Sequence, residues 1–172
     1  PLGIGGSARP SLASKPTLFP PPPRILIVGR LARGEGYKGH GVLMQSLELV
    51  LQEFPETRLT IVGDGDGRSD LEALADQLPY RLHIEFLGRV SDARLDDLYA
   101  SSHIFAMPSM GEGFGLVYLE AMARGLPCIC SDVDAAREVV VHGETGFAVS
   151  PQNPFDLAER LGQLLRDSPL AQ

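Results

Sequence analysis

The sequence predicts an α/β fold: a doubly wound, Rossmann-like sheet of six parallel strands with helices on both faces. Three observations lead there. Short apolar runs without polar alternation recur along the chain, as in strands covered on both faces. Between them lie stretches whose apolar residues repeat at helical spacing. The two kinds of segment alternate from end to end, which requires parallel strands joined by right-handed crossovers.

Each element has its own signal. Residues 1–23 hold Gly5-Gly6-Ser7 and the run Pro20 to Pro23 without periodicity, and read as a disordered linker or expression scar ahead of a domain at 24–172. Arg24 to Gly29 is the first strand. Gly39 to Phe54 places Leu43, Leu47, Val50, Leu51 and Phe54 on one helical face, and Pro55 stops it. Strand Arg58 to Val62 leads to helix Ser69 to Leu78, carrying Leu71, Leu74 and Leu78. Strand Leu82 to Leu87 precedes helix Asp92 to Ala100, N-capped by Ser91 with Leu95 and Leu98 inward. Strand His103 to Met107 ends at Pro108, and the next helix, Leu116 to Arg124, shows Leu116, Leu119, Met122 and Ala123 at helical spacing. Strand Cys128 to Ser131, a short helix at Ala135 to Val140 and strand Phe147 to Val149 follow. Asn153 caps the last helix, with Pro154 first and Leu157, Leu161 and Leu164 inward.

Composition removes several functions. A net charge of -7 and a pI near 5.0 leave no basic face for nucleic acid. No apolar run approaches the ~20 residues of a membrane span, and no secretory signal opens the chain. Cys128 and Cys130 are the only cysteines. Two apart in a strand, they share a face without the usual geometry of a mutual disulfide. With neither a Cys-x-x-Cys pair nor clustered histidines, no zinc site is expected. Reduced thiols are consistent with a cytoplasmic protein.

The sheet order 3-2-1-4-5-6 makes strands 1 and 4 neighbours, with a ligand crevice at their carboxyl ends. The loop after strand 1, Arg30 to Lys38, places Arg30, Arg33 and Lys38 among glycines in an acidic protein. Arg30 and Lys38 bracket it and suit a phosphate; Arg33 is expected to face solvent. The loop after strand 4 is Gly111-Glu112-Gly113-Phe114-Gly115, opening the helix that carries Glu120. Gly113 and Gly115 let a ligand approach the backbone, and the helix start favours an anion. Two carboxylates beside a phosphate loop suggest a ligand with both phosphate and hydroxyl groups.

Other patterns carry less. Gly34-x-Gly36-x-x-Gly39 matches the dinucleotide fingerprint, but it begins well past the strand and lacks the acidic residue expected on strand 2. A NAD-binding domain is therefore the alternative enzyme class. A non-catalytic nucleotide-sugar-binding module is the other alternative. Asp64-Gly65-Asp66 reads as a turn in preference to a metal site. His40, His83, His103 and His142 form no cluster and are expected to be structural. Glu112 and Glu120 could be a glycosidase acid–base pair, yet such a pair needs no phosphate site.

The run Gly-Glu-Gly-Phe-Gly-Leu-x-x-x-Glu-Ala-Met-Ala-x-Gly-x-Pro, with Glu112 and Glu120 separated by seven residues, resembles the E-x7-E signature of retaining GT-B glycosyltransferases of family four. The resemblance covers 24–167. It includes Val-Gly-Arg at 28–30, Lys38-Gly39, Val-Gly-Asp-Gly at 62–65, Phe-Leu-Gly at 86–88, Ser131-Asp132, Glu138 and Gly143-x-Thr145-Gly146. At Asp134-Ala135 the chain departs from the family's frequent Gly-Gly or Pro-Gly. The resemblance implies the C-terminal, donor-binding half of a hexosyltransferase, which uses a nucleoside-diphosphate sugar without metal or other cofactor. Arg30 and Lys38, beside Gly29, would hold the diphosphate and act in catalysis. Glu120 would hold the ribose and Glu112, also catalytic, the donor sugar. Backbone around Gly113, Phe114, Gly115, Leu116 and Val117 would meet sugar and phosphate, while Gly63, Arg89 and Val90 flank the base. No acceptor-binding domain precedes residue 24, so the chain is expected to be inactive alone. Peripheral membrane contact of a full enzyme is compatible with this reading.

Overall fold

The computed structural model describes residues 21–34, 38–111, 115–133 and 135–167. Six strands, β1 (Arg24–Val28), β2 (Arg58–Val62), β3 (Ile84–Gly88), β4 (Ile104–Ala106), β5 (Cys128–Ser131) and β6 (Gly146–Val149), form one sheet. All pairings are parallel, in the expected order β3-β2-β1-β4-β5-β6. Ile25, Leu26 and Ile27 are all buried. Successive strand side chains point to opposite faces, so both faces of β1 are covered. That is why its sequence shows no polar alternation.

Among the described residues, α1 (His40–Glu53), α2 (Arg68–Asp76), α3 (Asp92–Ser101) and α4 (Leu116–Ala123) connect the first five strands, and α5 (Pro154–Asp167) follows β6. Helix α1 packs along α5 and touches α2. Its Leu43, Leu47 and Val50 are buried as the spacing predicts, with Leu51 and Phe54 half-buried. The caps are also as read. Ser91 Oγ accepts the Arg94 N–H at 3.3 Å. Asn153 Oδ1 accepts those of Phe155 and Asp156 at 3.1 and 3.2 Å.

Four local readings need correction. Strand β3 begins at Ile84, because residues 81–83 form a 3-10 turn that leaves Leu82 exposed. Arg81 pins that turn by donating to Asp76 Oδ1 and to the Ile84 carbonyl, each at 2.6 Å. Helix α2 ends at Asp76, so Leu78 lies beyond it, while Leu71, Leu74 and Leu78 all pack half-buried against the core beside the buried Ala75. The short helix after β5 is of the 3-10 type and spans Ala135–Glu138, stopping before Val140.

The largest correction concerns α4. Leu116 and Leu119 are exposed, at 64% and 47%, while Tyr118 and Ala121 are buried. Tyr118 takes the inner face for two reasons. Its ring meets Phe105 edge-on at 5.4 Å, and its hydroxyl donates to the Met107 carbonyl at 2.5 Å. A large aromatic with a satisfied polar tip outcompetes leucine for that position. Turning α4 this way also sets where Glu120 emerges.

Candidate functional site

The strand order reverses between β1 and β4, and the loops leaving their carboxyl ends touch. Helix α1 starts at Gly39, with φ +83°, where an added Cβ would stand 2.5 Å from the Pro108 carbonyl oxygen. Across the neighbouring strand ends, Gly29, Gly63 and Gly88 form a floor of bare backbone. A Cβ at Gly63 would fall 1.8 Å from the Gly29 oxygen. The Gly63 N–H donates to the Gly88 carbonyl at 2.9 Å, and that of Gly29 to Val62 at 3.0 Å. Only chain without side chains can come this close.

Lys38 lies along this floor: a Cβ on Gly29 would sit 3.2 Å from its Cδ and 3.8 Å from its Nζ. Arg30 is exposed beside it. The loop carrying them is tied to the β2–α2 loop. Leu31 donates to the Asp64 carbonyl at 3.0 Å, and Gly67 to the Leu31 carbonyl at 2.8 Å. Asp66 Oδ1 accepts the Arg33 N–H at 2.8 Å, and Asp64 Oδ1 that of Gly65 at 2.9 Å. These bonds make Asp64 to Asp66 a turn that anchors the cationic loop. Arg33 faces outward with its side chain 64% exposed, paired at 2.7 Å with Asp70.

At the neighbouring loop, α4 is N-capped by Gly115 at φ +63°, and among the described residues no side chain caps its start. Such a start leaves its first amides to solvent or to an anion. Leu116 is exposed and Val117 half-buried; after β3, Arg89 is exposed and Val90 half-buried. Glu120 emerges one turn into α4, exposed, where its Oε2 accepts the Tyr99 hydroxyl at 3.3 Å. Burial, then the charge of Glu120, push that hydroxyl above the ordinary phenol range, so at neutral pH it is a donor. Arg124 stands over the Tyr99 ring at 4.9 Å, donates to the Glu120 carbonyl at 2.9 Å and pairs with Asp96. Glu112, Gly113 and Phe114 lie outside the described residues.

The structure therefore brings Gly29, Lys38 and Gly63 together, and sets Glu120 on a helix opening at the neighbouring loop. Tyr99, Arg124 and Pro108 carry no signal in the sequence that would place them here. Tyr99 is 21 residues from Glu120, and nothing in that spacing points to a contact. Three of the four histidines pair with backbone groups, and His40 Nε2 is buried without a hydrogen-bond partner among the described residues. His40 is 3% exposed, and burial, then the charge of Lys38, push it down to about 4. His103 Nδ1 accepts the Arg24 N–H at 3.0 Å, His83 Nδ1 lies 2.9 Å from the Thr57 carbonyl, and His142 Nδ1 accepts from Ala148. Both cysteines are buried and neither is in a disulfide; burial pushes Cys128 up to about 12. Among the described residues, no group of three or more His, Cys, Asp or Glu is placed to hold a metal. None of their helices is long and apolar enough to cross a membrane.

Comparison with known proteins gives the same outline. Residues 9–172 match the family described as glycosyl transferases group 1. Phosphatidyl-myo-inositol mannosyltransferase of Mycobacterium leprae is 38% identical over 167 residues, covering 96% of this chain and 42% of that protein. Among solved structures, the C-terminal domain of a group 1 glycosyl transferase (LpcC) from Francisella tularensis superposes with a TM-score of 0.75 at 28% identity, covering 88% of this chain and 80% of that one. Anabaena HepE in complex with UDP and glucose gives 0.74 at 27% identity, over 86% of this chain and 39% of that one. The chain thus spans about two fifths of the curated relative it matches.

Proposed function

The chain belongs to the group 1 glycosyl transferases, and on that premise we propose that it is the C-terminal, donor-binding half of a retaining family-four hexosyltransferase. One observation carries the reading. Lys38 lies along the glycine floor beside Arg30, and the neighbouring loop opens a helix bearing Glu120, with no side-chain cap among the described residues. In this reading Arg30, Lys38 and the α4 amides receive the diphosphate, and Glu120 the ribose. Gly63, Arg89 and Val90 border the base, and Glu112 with Gly113 to Val117 meets the sugar. The similarity to Anabaena HepE, a protein solved in complex with UDP and glucose, supports that ligand class.

The chemistry follows from charge. The bond between the anomeric carbon and the diphosphate oxygen breaks, the acceptor hydroxyl oxygen bonds to the same carbon with retained configuration, and the hydroxyl proton passes to the leaving diphosphate. Negative charge grows on the leaving diphosphate. Two cations and a helix N-terminus aimed at it lower that barrier, so the proposal requires no metal. Glu112 sits beside the donor sugar as a catalytic group. The acceptor binds a second domain of the whole enzyme, with residues 1–23 as a lead-in to 24–172. We place that enzyme in the cytoplasm, where free thiols such as Cys128 persist.

Titration calorimetry of the chain with UDP-, GDP- and ADP-sugars, the free diphosphates and NADH tests this. Saturable binding to one base series is expected, with no response to NADH. Silence across the whole series rejects the proposal.

A further inference from the structure

Glu120 is exposed on α4, and a glutamate there has three side-chain torsions to order before it can grip a ligand. Tyr99 supplies that order from below. The whole residue is 1% exposed, its ring packed 6.2 Å from Phe105 of the central strand β4 and covered at 4.9 Å by the Arg124 guanidinium. The hydroxyl is the part that reaches out, donating to Glu120 Oε2 at 3.3 Å. Arg124 holds the same residue by its main chain, through the Glu120 carbonyl at 2.9 Å, and is itself anchored on Asp96. Glu120 is thus tied at its carboxylate to a buried aromatic on α3, and at its carbonyl to Arg124, which covers that aromatic ring.

We propose that Tyr99 is a positioning residue for nucleotide binding: its hydroxyl fixes the Glu120 rotamer so that the carboxylate meets the vicinal hydroxyls of a nucleoside diphosphate. This deepens the donor-binding reading and rests on it. A carboxylate has about four lone-pair sites. One taken by Tyr99 leaves enough for a cis-diol, already aimed. Toward a carboxylate, which when ionised only accepts, the hydroxyl serves as the donor. Preorganisation of this kind raises affinity by removing the ordering cost at the moment of binding.

The test is Tyr99→Phe, which keeps the ring and removes one oxygen; circular dichroism and urea unfolding check that it folds. Wild type and variant are titrated with the nucleoside diphosphate that wild type binds best, its 2′,3′-dideoxy counterpart and inorganic diphosphate. The expected result is a loss of about three- to tenfold for the ribonucleotide, with the other two ligands unchanged. In a Glu120→Ala background, Tyr99→Phe should add nothing further. Equal losses for all three ligands, no loss for the ribonucleotide, or a full effect without Glu120 would each overturn the inference while leaving donor binding intact. A wild-type chain that binds none of the nucleotides removes the parent reading, and this inference with it.

Discussion

Gly39 and Pro108 meet backbone to side chain where the two switch-point loops converge. A Cβ at residue 39 would lie 2.5 Å from the Pro108 oxygen and 2.8 Å from its Cγ, on a backbone with φ +83°. Gly39→Ala must therefore strain the left-handed cap and push α1 off the β4 loop together. A loss of about 3 kcal/mol is expected, read by urea unfolding followed by circular dichroism. Gly34→Ala, in the same loop with nothing within 4 Å of its Cβ, is the control and should change stability by less than about 0.5 kcal/mol.

His40 gives the domain an acid-sensitive edge. It is buried and held down to about 4, against an unfolded value of about 6.5. Below that value the unfolded chain takes up a proton that the folded chain refuses. The stability is thus fully present above about pH 6.5 and lost as pH falls toward 4. The slope is about 1.4 kcal/mol per pH unit, reaching about 3 kcal/mol in all. His103, also lowered, by burial first and then by Arg24, acts in the same direction. His40→Leu should flatten the curve of stability between about pH 6.5 and 4, where the His103 share remains. An unchanged slope there would exclude His40 as its cause.

The sheet was legible because each buried strand is written locally: Ile25-Leu26-Ile27 can only be a run covered on both faces. The caps at Ser91 and Asn153 were legible for the same reason, since their partners lie within three residues. What failed depended on distant atoms. The inner face of α4 is decided by Phe105 and the Met107 carbonyl meeting Tyr118, neither of which the spacing of Leu116 and Leu119 reveals. Leu82 is apolar yet exposed, because Arg81 anchors its turn to Asp76 and Ile84. The same limit applies to the site. Lys38 and Glu120 stand out by residue type and motif, whereas Tyr99 is an ordinary helical aromatic until the fold sets it under a carboxylate.

Tyr118 and Tyr99 should separate stability from binding. The Tyr118 hydroxyl donates to the Met107 carbonyl in the core, which also accepts the Ser109 N–H at 2.8 Å, so Tyr118→Phe removes one of its two donors. That costs about 0.5–1.5 kcal/mol, visible as a lower urea midpoint. The Tyr99 hydroxyl meets an exposed carboxylate that water can serve instead, so Tyr99→Phe should lower the midpoint less. The reverse order would show that the Tyr99–Glu120 bond is chiefly a structural tie.

The proposed division of labour between cations and carboxylate makes the sharpest demand. Arg30→Met and Lys38→Met should each weaken inorganic diphosphate and the matching nucleoside diphosphate by the same factor, about ten- to a hundredfold, because charge-assisted bonds to phosphate are shared by both ligands. Their binding should also depend less steeply on salt than that of wild type. Glu120→Ala should behave differently, costing about tenfold for the nucleoside diphosphate and nothing for inorganic diphosphate. Calorimetry on the three variants with both ligands reads all of this directly. If Glu120→Ala weakens both ligands alike, the carboxylate is not on the ribose. It would then be supporting the helix start instead, and the site would be a diphosphate clamp with no reader for the nucleoside.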